Sequence, residues 1–174
     1  SAIMVVPEIS LTPQTVERFR QRFGDQVAVL HSGLTQKERF YEWKKIRDEK
    51  VSIAIGARSA IFAPFKNLGI IVIDEEHDTS YKQDSSPRYH ARDSAIIRAQ
   101  KQSAVVLLGS ATPSLESIKN AERGKYHYLS LENRVHNRLL PIVKVINMKE
   151  EMDFKKNFSI FSTPLKRAIF DRIK

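Results

Sequence analysis

A chain of 174 residues, 41% apolar and 28% charged, has the size and composition of one soluble globular domain with a proper core. It contains no Cys, which excludes disulfides, thiolate metal sites and Cys nucleophiles and suits a cytoplasmic protein, and no apolar run reaches the roughly 18 to 20 residues that span a bilayer. The formal net charge of +9 and a pI near 9.8 are what a phosphate-binding surface needs, although charge alone does not separate that surface from a basic one that only keeps the protein in solution.

In chain order, runs rich in Val and Ile at 3–6, 27–30, 51–55, 70–73, 104–108 and 142–146 predict strands, most of them separated by stretches of helical character. This alternation predicts an α/β fold built on a mostly parallel sheet flanked by helices. The runs 70–73 and 104–108 are apolar throughout, as expected for strands covered on both faces. Thr12-Pro13, Thr112-Pro113 and Thr163-Pro164 each predict a helix start, with a hydroxyl at the cap and Pro at the first helical position. Thr35 and Glu38 have the spacing of a capping box. Val16, Phe19 and Phe23 on the first helix, and Phe40 and Trp43 on the second, are expected in the core.

Two stretches interrupt the pattern. The polar segment 78–88 reads as a functional loop, and 141–162 reads as a linker, mixed in charge and weak in periodicity from about 147. Beyond it Leu165, Ala168, Ile169 and Ile173 form a helical apolar stripe with no stop signal, so the chain is expected to continue past Lys174. No internal repeat or low-complexity tract is present.

The chemistry-bearing residues follow the predicted buried strands. Ile70–Ile73 runs into Asp74-Glu75-Glu76-His77, at the carboxyl edge where open α/β sheets bind ligands. Adjacent carboxylates there can divide the labour, Asp74 holding Mg2+ through its waters and Glu75 orienting and deprotonating a water that attacks a γ-phosphate. An isolated Asp-Glu pair could equally be a solvated loop. Its context is a second strand that ends in Gly109-Ser110-Ala111-Thr112-Pro113, which would bring small hydroxyl residues to the same edge. In the segment after the acidic pair, Tyr81, Arg88, Tyr89, His90 and Arg92 combine rings that can stack on bases with cations that can meet phosphates; Tyr89 could instead anchor the helix carrying Ala95, Ile96 and Ala99.

Asp74-Glu75-Glu76-His77 and Ser110-Ala111-Thr112 resemble motifs II and III of superfamily-two DEAH-type helicases. The stretch Val6–Gln14 looks like motif Ia of the replication-restart members. The likeness continues through His31–Leu34, Gly56–Phe65, Tyr81–Gln83 and Arg88–Asp93. The resemblance implies a RecA-like fold and a bacterial, cytoplasmic, ATP- and Mg2+-dependent 3'–5' DNA helicase that restarts stalled forks. Its partners would be single-stranded and forked DNA and the primosome and replication-restart proteins, with no membrane. By the same resemblance Asp74 and Glu75 are catalytic, and His77, Ser110 and Thr112 couple the nucleotide and DNA sites. Pro7, Glu8, Thr12, Arg58, Ser59 and the ring-and-cation residues of the loop would face DNA; Pro87 stands where some members are expected to carry an aromatic residue.

A phosphate loop of the form Gly-x-x-x-x-Gly-Lys-Ser/Thr is missing: no two of the glycines 24, 33, 56, 69, 109 and 124 have that spacing. The resemblance places that loop shortly before Ile3. Residues 3–140 are therefore expected to be an incomplete first motor lobe and 163–174 the start of a second. Zinc-binding cysteines are expected only in a region outside this chain. A sheet without the phosphate loop's strand and helix would expose apolar surface, which predicts marginal stability, dimerisation or a covering partner. A non-catalytic nucleic-acid-binding module on the same sheet is the alternative. It would have no use for both the acidic pair and Ser110-Ala111-Thr112. A dinucleotide enzyme lacks its Gly-x-Gly-x-x-Gly.

Overall fold

The computed structural model describes residues 1–131, 142–153, 156 and 158–173, which form two compact units, Ser1–Tyr128 and Leu129–Lys174. In the first unit, β1 (Ala2–Val5), β2 (Val27–Leu30), β3 (Ile53–Gly56), β4 (Ile70–Ile73) and β7 (Val105–Leu108) form a parallel sheet in the order β2-β3-β1-β4-β7. Met4 stands opposite both Ile55 and Val72, so β1 is a central strand with a ladder on each side. Because all five strands run the same way, every loop that leaves a carboxyl end gathers at one edge of the sheet.

One face of the sheet carries the larger core. Ile3, Val5, Ala28, Leu30, Ala54, Ile71 and Ile73 pack there under α3 (Ala91–Gln102) and the segment from Ala60 to Leu68. The side chains that α3 buries are small, Ala91, Ala95 and Ala99, and so let its backbone come close. Arg98, further along α3, donates to the carbonyls of Ile61, Ala63 (2.7 Å) and Phe65 (3.5 Å), satisfying the backbone of a segment that has no ladder of its own. On the opposite face Val27, Val29 and Ile55 pack against Leu11 and against Val16 and Phe19 of α1 (Pro13–Phe23). The close packing of the turn after β3 requires Gly56, where a Cβ would stand 2.1 Å from the Leu30 carbonyl oxygen.

The sheet edges are treated differently. Beside β2, α2 (Gln36–Arg47) contributes Glu42, whose carboxylate accepts the Val29 N–H at 3.1 Å and so occupies a donor that an edge strand leaves open. At the other edge Val105 and Leu107 of β7 are 63% and 45% exposed, while Val106 and Leu108 pack on the core. The expectation that 104–108 is covered on both faces is thus corrected: β7 is an edge strand with one face open. The run 142–146 is not a strand. Ile142, Val143 and Val145 lie exposed in irregular chain, with no neighbouring strand among the described residues to take up their backbone groups.

Of the helix starts, Thr12 caps α1 by accepting the Thr15 N–H (3.3 Å), and the Thr35–Glu38 capping box is complete at α2. The start expected at Thr112 is displaced: Ser114 caps α4 (Leu115–Glu122), accepting the Ser117 N–H. At the third, Ser162 accepts the Leu165 N–H, so the hydroxyl cap precedes Thr163, the first residue of α6 (Thr163–Ile173). The expected linker contains a helix, α5 (Met148–Asp153), whose buried Glu151 accepts the Thr163 N–H at 2.7 Å. On α6 the stripe of Leu165, Ile169 and Ile173 is exposed. The boundary expected at 140 and 141 lies outside the described residues. Phe23, Phe40 and Trp43 are not core: they are 41%, 55% and 37% exposed, because Ile46 is the only side chain α2 buries fully and Phe23 is the last residue of α1.

Candidate functional site

The carboxyl edge assembles the loops 7–12, 31–34, 57–62, 74–90 and 109–114. After β4, Asp74 stands exposed with one carboxylate oxygen accepting the Glu75 N–H at 3.0 Å. Glu75 has φ of 45°, a left-handed backbone unusual for a residue with a side chain. Its carbonyl accepts the Asp78 N–H at 2.8 Å, so residues 75–78 form a turn. That turn fits His77 into a polar cluster. Its Nδ1 lies 2.7 Å from Ser110 Oγ and 3.7 Å from a Glu75 carboxylate oxygen, and its Nε2 lies 3.4 Å from Thr112 Oγ1. Ser110 Oγ also accepts the Thr112 N–H. One imidazole therefore touches Glu75 and the two hydroxyls that follow β7, as expected of residues at one edge of a parallel sheet.

Glu76, to which sequence reasoning assigned no role, is the most buried charge in this region, at 2% exposure. Its two oxygens accept from Ser114 N–H (2.7 Å), Ser114 Oγ (3.1 Å), Ser117 Oγ (3.0 Å) and Arg92 (3.1 Å). Burial pushes the carboxyl up, but the hydrogen bonds from the Ser114 N–H, Arg92 and the two hydroxyls outweigh it and hold the group below the ordinary glutamate value. The same Glu76 ties the strand-end motif to the start of α4 and, through Arg92, to the start of α3.

Three residues expected to face DNA are turned inward. Arg92 is nearly buried and committed to Glu76 and Ser114 (2.8 Å). Tyr81 is fully buried, its hydroxyl donating to the carbonyls of Asp74 and Val5, so its ring is unavailable to a base. Burial first, then the charges of Asp74, Asp78 and Glu75, push its phenol above the ordinary tyrosine range. Pro7 is buried as well. The polar composition of 78–88 concealed the Tyr81 anchor, for which the apolar ring amid polar residues was the only available sign.

The remaining expected residues are accessible. Glu8 accepts from the Ser32 hydroxyl, joining the loops after β1 and β2, and Thr12 and Ser59 are exposed. Arg58 donates to the carbonyls of Ser80 (3.1 Å) and Lys82 (2.8 Å), joining the loop after β3 to the one after β4. The segment expected to be a loop is partly ordered as a hairpin, β5 (Lys82–Gln83) against β6 (Tyr89–His90), with Arg88 exposed near its tip. Tyr89 meets Phe62 edge to face at 5.0 Å while packing on the core, so the ring both anchors the start of α3 and borders the surface. Phe62, 58% exposed, is a ring that sequence reasoning missed. His90 is half-buried and its Nδ1 has no partner among the described residues. Burial lowers its pKa; Arg92 acts in the same direction, while Asp93, Glu76 and Glu116 oppose the shift without cancelling it.

Among the described residues no group of three or more His, Asp or Glu could hold a metal ion, and no helix is long and apolar enough to cross a membrane. Asp74 stands exposed directly at the end of β4, and a lone carboxylate there suits a metal held through its own waters better than one caged by protein ligands.

The sequence model of the DEAD/DEAH box helicases matches residues 1–121, and the chain belongs to that family. Its relatives there include the proteins named replication restart protein PriA. That of Bacillus subtilis is 55% identical over 99% of this chain, that of Haemophilus influenzae 54% over 86%, and that of Synechocystis 48% over 97%. The chain spans about a fifth of the length of each, 21%, 20% and 21% respectively. Among solved structures, the C-terminal domain of the DEAD-box protein Dbp5 has a TM-score of 0.47 at 16% identity, covering 75% of this chain and 72% of that one, a likeness too weak to carry weight.

Proposed function

We propose that this chain is part of the first motor lobe of an ATP-driven 3'–5' DNA helicase that acts in the bacterial cytoplasm on single-stranded and forked DNA, with primosome and replication-restart proteins as partners. The lobe would occupy residues 3–140, with 163–174 opening the second lobe. The observation that carries the reading is the His77 cluster, in which one ring contacts Glu75, Ser110 and Thr112.

In that reading Asp74 would hold Mg2+ through bound water. The metal would neutralise charge developing on the phosphates. Glu75 would accept the proton of the attacking water, its position fixed by the left-handed turn. His77 would carry the state of Glu75 to Ser110 and Thr112. Exposed Arg88, Thr12 and Ser59, with Arg58 and Tyr89 at the surface, would meet the DNA backbone and bases. A phosphate loop is missing from these 174 residues, so the chain alone should hydrolyse no ATP above background even with DNA.

The test uses a protein of the relatives' full length that contains this segment. Glu75→Gln should abolish DNA-stimulated hydrolysis while leaving DNA affinity within about twofold. Hydrolysis unaffected by Glu75→Gln, or robust turnover by the 174-residue chain, would sink the assignment. Absence of any ATPase in the longer protein would leave the non-catalytic nucleic-acid-binding module.

A further inference from the structure

α2 carries a surface that the site at the carboxyl edge does not use. Phe40 and Trp43 are both exposed and lie near-parallel, with centroids 6.5 Å apart and an interplanar angle of 20°. The Arg47 guanidinium sits 5.0 Å from the centroid of Trp43. Helical spacing puts Lys37, Phe40, Trp43, Lys44 and Arg47 on one stripe. The two acids of α2 lie off it and are already used: Glu38 closes the capping box, and Glu42 accepts the Val29 N–H and pairs with Lys45 at 2.6 Å. Asp48, just beyond the helix, pairs with Arg47 at 3.0 Å; Lys37 and Lys44 pair with no carboxylate among the described residues.

We propose that this stripe is a second binding surface for single-stranded DNA, separate from the motif-bearing edge. Stacked exposed rings interleaved with unpaired cations match a ligand that presents planar apolar faces on a polyanionic backbone. A partner helix or apolar protein segment would leave Lys37 and Lys44 without counter-charges. Glu42 holds α2 against the edge of β2, so the rings are presented on a fixed element.

Trp43 is the only Trp in the chain, so its emission reports this surface alone. The chain is titrated at low salt with oligo(dT), with heparin as a polyanion without bases and with poly-glutamate as an acidic polypeptide. Oligo(dT) should quench Trp43, heparin and poly-glutamate should not, and Phe40→Ala should weaken the quench-detected affinity about tenfold, within the range that base-on-ring stacking contributes. Lys37→Gln with Lys44→Gln should flatten its salt dependence. Phe40 is more than half exposed, so circular dichroism should show Phe40→Ala folded as the parent chain is. Oligo(dT) binding detected by anisotropy without any change at Trp43 would overturn the proposal. So would quenching equal to that by heparin, which would mean charge alone, or quenching by poly-glutamate only, which would mean a protein partner. None of these results depends on ATP hydrolysis, so the proposal and the motor-lobe reading can fail separately.

Discussion

Replacing Arg92 by Met keeps the length of the side chain and removes its charge, leaving the Glu76 carboxylate inside the protein with Ser114 N–H, Ser114 Oγ and Ser117 Oγ as its remaining donors. Breaking one side of a buried ion pair costs about 3 to 5 kcal/mol. The three surviving hydrogen bonds place Arg92→Met near the lower end, about 3 kcal/mol, or roughly 10 °C in Tm for a domain of this size. Glu76→Gln should cost a similar amount, because the amide cannot accept from both the Ser114 N–H and Arg92. The double variant should cost clearly less than the sum of the two, with a coupling of about 2 kcal/mol. Urea denaturation followed by circular dichroism measures all four proteins. The pH dependence supplies a second check. Glu76 has a lowered carboxyl pKa in the folded chain, so its contribution is complete above the ordinary glutamate value and is lost as pH falls through the lowered one. The gap between the parent chain and Glu76→Gln should therefore close in acid. Single losses below about 1 kcal/mol, additive singles, or a gap independent of pH would refute the argument.

Tyr81→Phe removes the donor shared by the Asp74 and Val5 carbonyls and should cost about 1 to 2 kcal/mol in the same denaturation assay with little change in fold. Gly56→Ala places a methyl group against the Leu30 carbonyl and should destabilise by about 3 kcal/mol or prevent folding; soluble protein of unchanged Tm would contradict the packing at β3. For His90, whose folded pKa is lowered, protonation opposes the native state, so stability should fall as pH drops below about 6.5. His90→Asn should flatten that part of the stability curve, and an unchanged slope would exclude His90 as its source.

The sheet was legible because its strands are short, β-branched and separated by helical stretches: the runs 27–30 and 70–73 coincide with β2 and β4, and three others fall within two residues of their strands. The run 142–146 has the same composition and forms no strand, since a strand is completed by its neighbours and composition does not supply one. Residues whose roles follow from motif spacing, Glu75, His77, Ser110 and Thr112, come together as expected. The internal fasteners were not legible. Glu76 looks like part of an acidic cluster, Arg92 like a surface cation and Tyr81 like a loop ring, yet each is fixed by partners 7 to 76 positions away that only the fold reveals, as in Tyr81 to Asp74 and to Val5. The aromatics of α2 failed in the opposite sense: ring spacing predicted a core face, but only Ile46 turns inward.

The unlike edges of the sheet differ in how readily they would take on another strand. Glu42 already occupies the Val29 donor on the β2 side, whereas β7 is the last strand on its side and leaves Val105 and Leu107 uncovered. Strand addition is therefore easier beside β7 than beside β2.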